Sequence, residues 1–402
     1  MNAELPREPR ELARFGWRQA LAYDGVGALA RLVGAWRAPS PRRSGDLASM
    51  QFLDFAYWFH KSTHPIRTAE AGSGLEAFFA AQRFKWAPPD DLSPVAELTL
   101  SSAGDLMSHA YLARSGDSLY REVSDLLFGA DISMANLECV VMKDPAPLHI
   151  DVEKGPPLAF DHDAFRASAG RFDFLATACN HSLDFGAEGV DSTIAALLAS
   201  GKAFNGVNRC AADASRATIV ERRGVRLGVL AHTFGLNGHR PQRVGIVNHS
   251  RLNERGVDLT LFEQQLAHCR EVAVDFVIAH LHWGFEFEYF PRLTQLELAH
   301  RLAELGVDAI FGHHPHVVQP VEYYRTKRDP HRVVPIFYSL GNLITPFSID
   351  YMRRSGVARI ELVKGRTKTY VRAAGLVEVE QQVDAERKEL VLRACGREEN
   401  AY

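Results

Sequence analysis

From Val95 onward the sequence is built of short apolar runs separated by helix-period segments, and that alternation restricts the fold more than any other feature. The runs are VAELTLSSA (95–103), DISMA (131–135), FDFLATA (172–178), VRLGVLA (225–231), VDFVIAHL (274–281), VDAIFG (307–312) and VVPIFYSL (333–340). Apolar runs of this length, bounded by turn residues, read as buried strands. Segments such as GVDSTIAALLAS and LTQLELAHRLAEL carry the 3.6-residue repeat of helices. Strands alternating with helices specify a layered α/β domain. After Ile344 the pattern becomes VARIELVKG, KTYVRAAGLVEVEQQ and RKELVLRA, alternating strands that predict an antiparallel close to the sheet.

Ahead of Val95, RAPSPRRSGDL (37–47) and WAPPDDLSP (86–94) read as loops or linkers. The segment MQFLDFAYWFHKSTHPI starts as a helix, and ALAYDGVGALARLVGAW reads as an amphipathic helix that packs on the main domain. The expectation is a helical N-terminal extension over 1–92 and one domain over 93–402, with antiparallel strands after 345. Nothing in the extension announces a site.

The formal charge is -3 and the basic residues are scattered, so nucleic acid is not an expected partner. Five widely spaced cysteines without a C-x-x-C fit neither a disulfide framework nor a thiolate zinc site. The N-terminus lacks an apolar h-region, and the apolar segment after it is interrupted by Asp24 and Arg31. These features predict a cytoplasmic chain with no membrane span; they leave the oligomeric state open.

Function is written at the strand ends. Asp105, Asn136 with Glu138, Asn180 with His181 and Asp184, His232, His280 with His282, and the cluster His313, His314, His316 each follow or close an apolar run. In open α/β sheets that edge is where ligands bind, because the loops converge there. Asp105, Glu138, Asn180, His282, His314 and His316 form an oxygen- and nitrogen-rich set without thiolate, suited to Mn, Fe or Zn. Six ligands exceed what one tetrahedral ion needs, so two divalent ions with Glu138 bridging are expected. His280 shares a strand face with His282 and belongs behind the ligands, whereas strand alternation turns His313 away from His314 into a structural role. Glu286 and Glu288 are candidates to orient a ligand or substrate. Asn136 and His232 join the residues placed around the ligands.

Six motifs then carry a family resemblance: GDLM (104–107), ANLE (135–138), NHSLDFGAEGV (180–190), HWGFE (282–286), GHHPHVVQP (312–320) and IFYSLGN (336–342). In order and spacing they resemble the CapA family of bacterial poly-gamma-glutamate or capsule-synthesis proteins, which is similar to the calcineurin-like metallophosphoesterases. The resemblance covers roughly 95–345. It implies a four-layer α/β/β/α sandwich with a dinuclear site at the sheet edge. It also implies metal-binding roles for Asp105, Glu138, Asn180, His282, His314 and His316, and a general-acid role for His181, with Asp184 beside it. Two departures stand out. Met107 occupies the position of the first-motif histidine, with His109 the candidate substitute, and Glu138 replaces the usual aspartate. The implied activity is metal-dependent hydrolysis of a small-molecule or peptide-like substrate. A phosphoester is the first expectation, and amide or gamma-glutamyl chemistry or a non-catalytic capsule-assembly role are the alternatives.

Overall fold

The computed structural model describes residues 6–12, 15–40, 47–143 and 157–399; positions 41–46 of the expected linker lie outside them. Two sheets face one another. The first runs, in spatial order, Glu389–Glu399, Thr369–Asp384, Arg354–Lys364, Ala96–Leu106, Ile132–Leu137, Phe174–Ala176 and Ala203–Asn205, with Asn342–Ile344 pairing the end of Ala96–Leu106. The second runs Val321–Arg325, Val333–Phe337, Ala309–His313, Phe276–His282, Val225–Thr233 and Thr218–Arg222.

Strand parity sorts the side chains into layers, since successive residues point to opposite faces. Leu98, Leu100, Ile132 and Met134 of the first sheet meet Leu227, Val229, Phe276 and Ile278 of the second in one buried core. Ala103, Ala135 and Leu137 face outward, under Leu112, Leu127 and Phe165 of short helices. Leu230, Val277, Ala279 and Leu281 face outward on the other side, under helices Thr260–Glu271 and Leu293–Leu305. The result is the expected helix, sheet, sheet, helix sandwich.

The helix Leu293–Leu305 coincides with the periodic segment that predicts it, and the strand read at 274–281 is observed as Phe276–His282. Ala203–Asn205, Thr218–Arg222, Val321–Arg325 and Asn342–Ile344 have no counterpart among the expected strands. At three to five residues, several of them half-buried, they are too short to show a period. The extension contains helices Trp17–Val33 and Phe52–Lys61, which pack through Tyr23, Ala56 and Phe59. Its last helix, Leu75–Ala80, instead joins the outer layer of the second sheet through Leu75 and Phe79. No helix among the described residues is long and apolar enough to cross a membrane.

Candidate metal centre

The site forms where the inner faces of both sheets run out at their strand ends. Inner-face parity carries Met134 on to Asn136 and Glu138, and Ile278 on to His280 and His282. Parity alone would send Asp105 outward with Ala103. The register between Ala96–Leu106 and Ile132–Leu137 shifts between Ala103 and Asp105, so Gly104 is an extra residue, and this bulge turns Asp105 inward. Only glycine fits there, because a Cβ on Gly104 would stand 2.1 Å from the Gly341 carbonyl oxygen. Gly312 meets the same limit, 1.9 Å from the Tyr338 oxygen.

After Ala309–His313 the chain turns sharply. His314 and His316 both take positive φ, 96° and 58°, a conformation costly for residues with a Cβ and concentrated at functional sites. This turn, rather than strand alternation, brings both imidazoles to one place.

Three groups of ligand atoms result, each with all members within 4.8 Å of one another: Asp105, Glu138 and His316; Glu138, His282 and His314; Glu286, His314 and His316. Glu138 belongs to the first two groups. His282 Nε2 lies 3.5 Å from Glu138 Oε1 and 2.9 Å from Asn180 Oδ1, while His316 Nε2 lies 3.7 Å from Glu138 Oε1. Glu138 is fully buried, yet neither of its carboxylate oxygens has a hydrogen-bond partner. Burial, and then the neighbouring Asp105, push its carboxyl well above the usual range. A buried carboxylate of this kind is costly unless a cation compensates it. Burial, followed by neighbouring histidines, holds His282 and His314 well below the ordinary imidazole value, so both are neutral, the state a metal ligand needs. Burial opposes the Asp105 charge, but His313 at 3.0 Å, His316 and the His314 N–H outweigh it and lower its carboxyl. The donor set therefore fits divalent ions.

The surrounding residues fix these donors. Asn136 Nδ2 donates to Asp105 Oδ1 at 2.9 Å and lies 3.3 Å from His282 Nδ1. His313 is not turned away to a purely structural place. It stands between Asp105 and His280, whose Nδ1 is 3.1 Å from His313 Nε2, and so backs the ligand carboxylate. Nothing in the sequence singles out Asn342, although it follows the apolar run 333–340 as the ligands follow theirs. Its Oδ1 accepts from His316 Nδ1 at 2.8 Å, leaving Nε2 as the ligating nitrogen. His181 Nδ1 is 2.7 Å from Asp184 Oδ2.

Two expected members are placed elsewhere. His232 follows the parity of Leu230 to the outer face, where its ring stacks on Phe262 and its nitrogens meet Ser250 and Gln265, each at 2.8 Å. His109 accepts the Tyr111 N–H through Nδ1 and belongs to none of the ligand groups among the described residues. Glu288 is not free to meet a substrate either: it binds Lys61 at 2.8 Å, Arg292 at 2.8 and 2.9 Å and Tyr57 at 3.2 Å, all buried. Arg292 and Lys61 outweigh the effect of burial and bring its carboxyl down to about 2.

The family model of the bacterial capsule synthesis protein PGA_cap matches residues 99–346. The chain belongs to that family. The PGA biosynthesis protein CapA of Bacillus subtilis is 26% identical over 280 residues, 67% of this chain and 69% of the relative. The capsule biosynthesis protein CapA of Bacillus anthracis is 27% identical over 258 residues, 62% of this chain and 60% of the relative. A probable polyglutamine synthesis accessory protein of Mycobacterium tuberculosis is 29% identical over 231 residues, 54% of this chain and 56% of the relative. Among solved structures, the calcineurin-like phosphoesterase YfkN from Bacillus subtilis aligns over 74% of this chain and 91% of its own, at 14% identity and a TM-score of 0.36, too weak a likeness to bear on chemistry. The stretch shared with the capsule-synthesis family contains every residue of the three ligand groups. Tyr57, Trp58 and Lys61 lie outside it, and nothing in the sequence pointed to them.

Proposed function

We propose that this capsule-synthesis family member is a metal-dependent hydrolase with a dinuclear centre, and that phosphoesters are its first substrate class. The observation that carries this reading is Glu138, a buried carboxylate with both oxygens unpaired, shared between two groups of ligand atoms. Asp105, Glu138 and His316 would hold one ion, and Glu138, Asn180, His282 and His314 the other. Manganese, iron or zinc suits these donors. Two such ions supply water activation at neutral pH and polarisation of the oxygen at the scissile bond.

The protein's own residues do the rest. The Asp184 carboxylate accepts from His181 Nδ1, which fixes the ring and leaves Nε2 to carry a proton to the departing oxygen or nitrogen. Asp184 Oδ2 also accepts the Leu158 N–H at 2.7 Å, so the carboxylate that orients His181 is itself held. Asn136, His313 and Asn342 keep the ligand side chains in one geometry, so little reorganisation is needed during reaction.

The names of the relatives favour a second reading on the same residues: cleavage or transfer at a gamma-glutamyl amide, with the chain serving polyglutamate assembly. A screen of nitrophenyl phosphomonoesters, phosphodiesters and gamma-glutamyl amides with Mn2+-, Fe2+- or Zn2+-loaded protein tests both. Metal-dependent phosphoester turnover is the expected result, and turnover of the amides alone selects the second reading. Loaded protein inactive on every class would leave a non-catalytic assembly role.

A further inference from the structure

The third ligand group shares His314 with one ion and His316 with the other, and the ion that includes His316 is the one short of a donor. Asp105, Glu138 and His316 offer three side chains, while Met107 stands where the resemblance implies a histidine. Met107 is buried in the core on the outer face of the first sheet, and a thioether is a poor donor to hard ions. Glu286 has the right chemistry and position. Its Oε1 lies 3.8 Å from His316 Nε2, and its carboxylate is within 4.8 Å of ligand atoms of both His314 and His316.

A second observation shows why this carboxylate is aimed there. The other oxygen, Oε2, accepts the indole N–H of Trp58, on helix Phe52–Lys61 of the extension. One oxygen is thereby tethered from outside, and the other is turned toward His316. The backbone locks this arrangement from both sides. Phe287 N donates to Pro315 O at 2.8 Å, tying the Glu286 loop to the turn between His314 and His316. Ile66 N donates to Phe287 O at 2.9 Å, and Tyr289 N donates to Ile66 O at 2.8 Å, tying the same loop to the extension. Phe287 itself takes a positive φ of 62°, a strained conformation that flanks Glu286 and is held by these bonds.

We infer that Glu286 is a ligand of the ion held by Asp105, Glu138 and His316, replacing the donor missing at Met107, and that Trp58 of the N-terminal extension positions it. The extension is thus part of the metal centre. The inference rests on the dinuclear reading, and metal binding by the full chain separates the two. Metal-stripped protein is titrated with Mn2+ and followed by calorimetry and by electron paramagnetic resonance, and melting is measured with and without the ion.

The wild type should bind two ions. Glu286→Gln keeps an acceptor for Trp58 but removes the charge, and should retain one tight ion while the other weakens by about 100-fold or more, beyond the range seen for changes outside the ligand shell. Melting of the metal-free protein should not move. Two ions of unchanged affinity in Glu286→Gln would overturn the ligand assignment and leave the dinuclear reading standing, whereas a wild type that binds no ion overturns both. Trp58→Phe keeps the ring and removes the N–H, and should weaken the same ion by roughly 10-fold. Unaltered binding in Trp58→Phe would overturn the positioning role, and this variant also serves if Glu286→Gln does not fold.

Discussion

The strand-end centre and the N-terminal extension meet within a few ångströms, yet they are built by opposite rules. The centre draws residues from Asp105 to Asn342 onto the strand ends; Asp105, Glu138, Asn180, His282, His314 and His316 are buried, Glu138 and Asp105 completely, while Glu286 is half-buried. The extension leaves large apolar side chains in water, with Leu32 84% and Trp17 72% exposed, and its helix pair has only a small core of its own. It meets the centre through Glu286 and Glu288, two carboxylates of one loop, each gripped by side chains of helix Phe52–Lys61. The sheets can hold a geometry because the strands that lead to the ligands are interior ones, hydrogen-bonded on both sides; a helix pair added at the edge needs specific polar contacts to hold its place.

The sharpest way to break this contrast lies inside the centre. Glu138→Ala should remove at least one ion and lower turnover by more than the roughly 10–100-fold typical of residues outside the ligand shell. It should also abolish most of the Mn2+-dependent stabilisation, about 2.7 kcal/mol per ion at ion concentrations 100-fold above Kd, read as a smaller rise in melting temperature. Full metal content in Glu138→Ala, measured by elemental analysis, would remove the bridge from the site.

His181→Asn sharpens the division between holding and reacting within the same centre. Metal content and melting should stay as in the wild type, and turnover should fall about 10²–10⁴-fold on substrates with poor leaving groups. The loss should shrink for nitrophenolate, which departs without a proton. Equal losses on both substrates would point to disturbed geometry instead of proton transfer.

The seam is tested by Glu288→Ala. Removing the carboxylate leaves Lys61 and Arg292 buried without their shared partner, an expected cost of about 3–5 kcal/mol in denaturant unfolding. Hydrogen exchange should rise first over Phe52–Lys61, with the central strands following only on global unfolding. Unchanged exchange in that helix would show that the extension is held by something other than this cluster.

The smallest effect belongs to the extension alone. Burial, then His64 and Arg31, lower the His60 pKa from its usual 6.5 to about 4. The unfolded chain therefore takes up this proton first as the solution is acidified. The His60 contribution is fully present above about 6.5, declines between 6.5 and 4, and is lost below. Exchange protection of Phe52–Lys61 should weaken over that window, and His60→Gln should flatten the dependence.

Sequence reading worked where one local signal decided the outcome. The helix Leu293–Leu305 carries its period and the strand Phe276–His282 its apolar run within themselves, and the polar residues closing the apolar runs can be collected by position alone. It failed where a face or a turn mattered. His232 closes an apolar run as Asp105 does, yet an uninterrupted strand carries His232 to the outer face while a one-residue bulge turns Asp105 inward. His313 shows the same limit, because it shares the inner-face parity of Ala309 and Phe311 and so meets Asp105 of the facing sheet.

The chain's local chemistry determined by itself that this would be an α/β sandwich with a cluster of oxygen and nitrogen donors at the strand ends. Apolar periodicity and the polar residues that close each apolar run are properties of neighbouring residues. Only the tertiary structure decided that Glu286 reaches His316, that Asn342 sets the His316 ring, and that Trp58 and Lys61 grip carboxylates 228 and 227 residues away. Those pairings exist only once both sheets and the extension are packed, because no local pattern records which distant side chain will lie within hydrogen-bond reach.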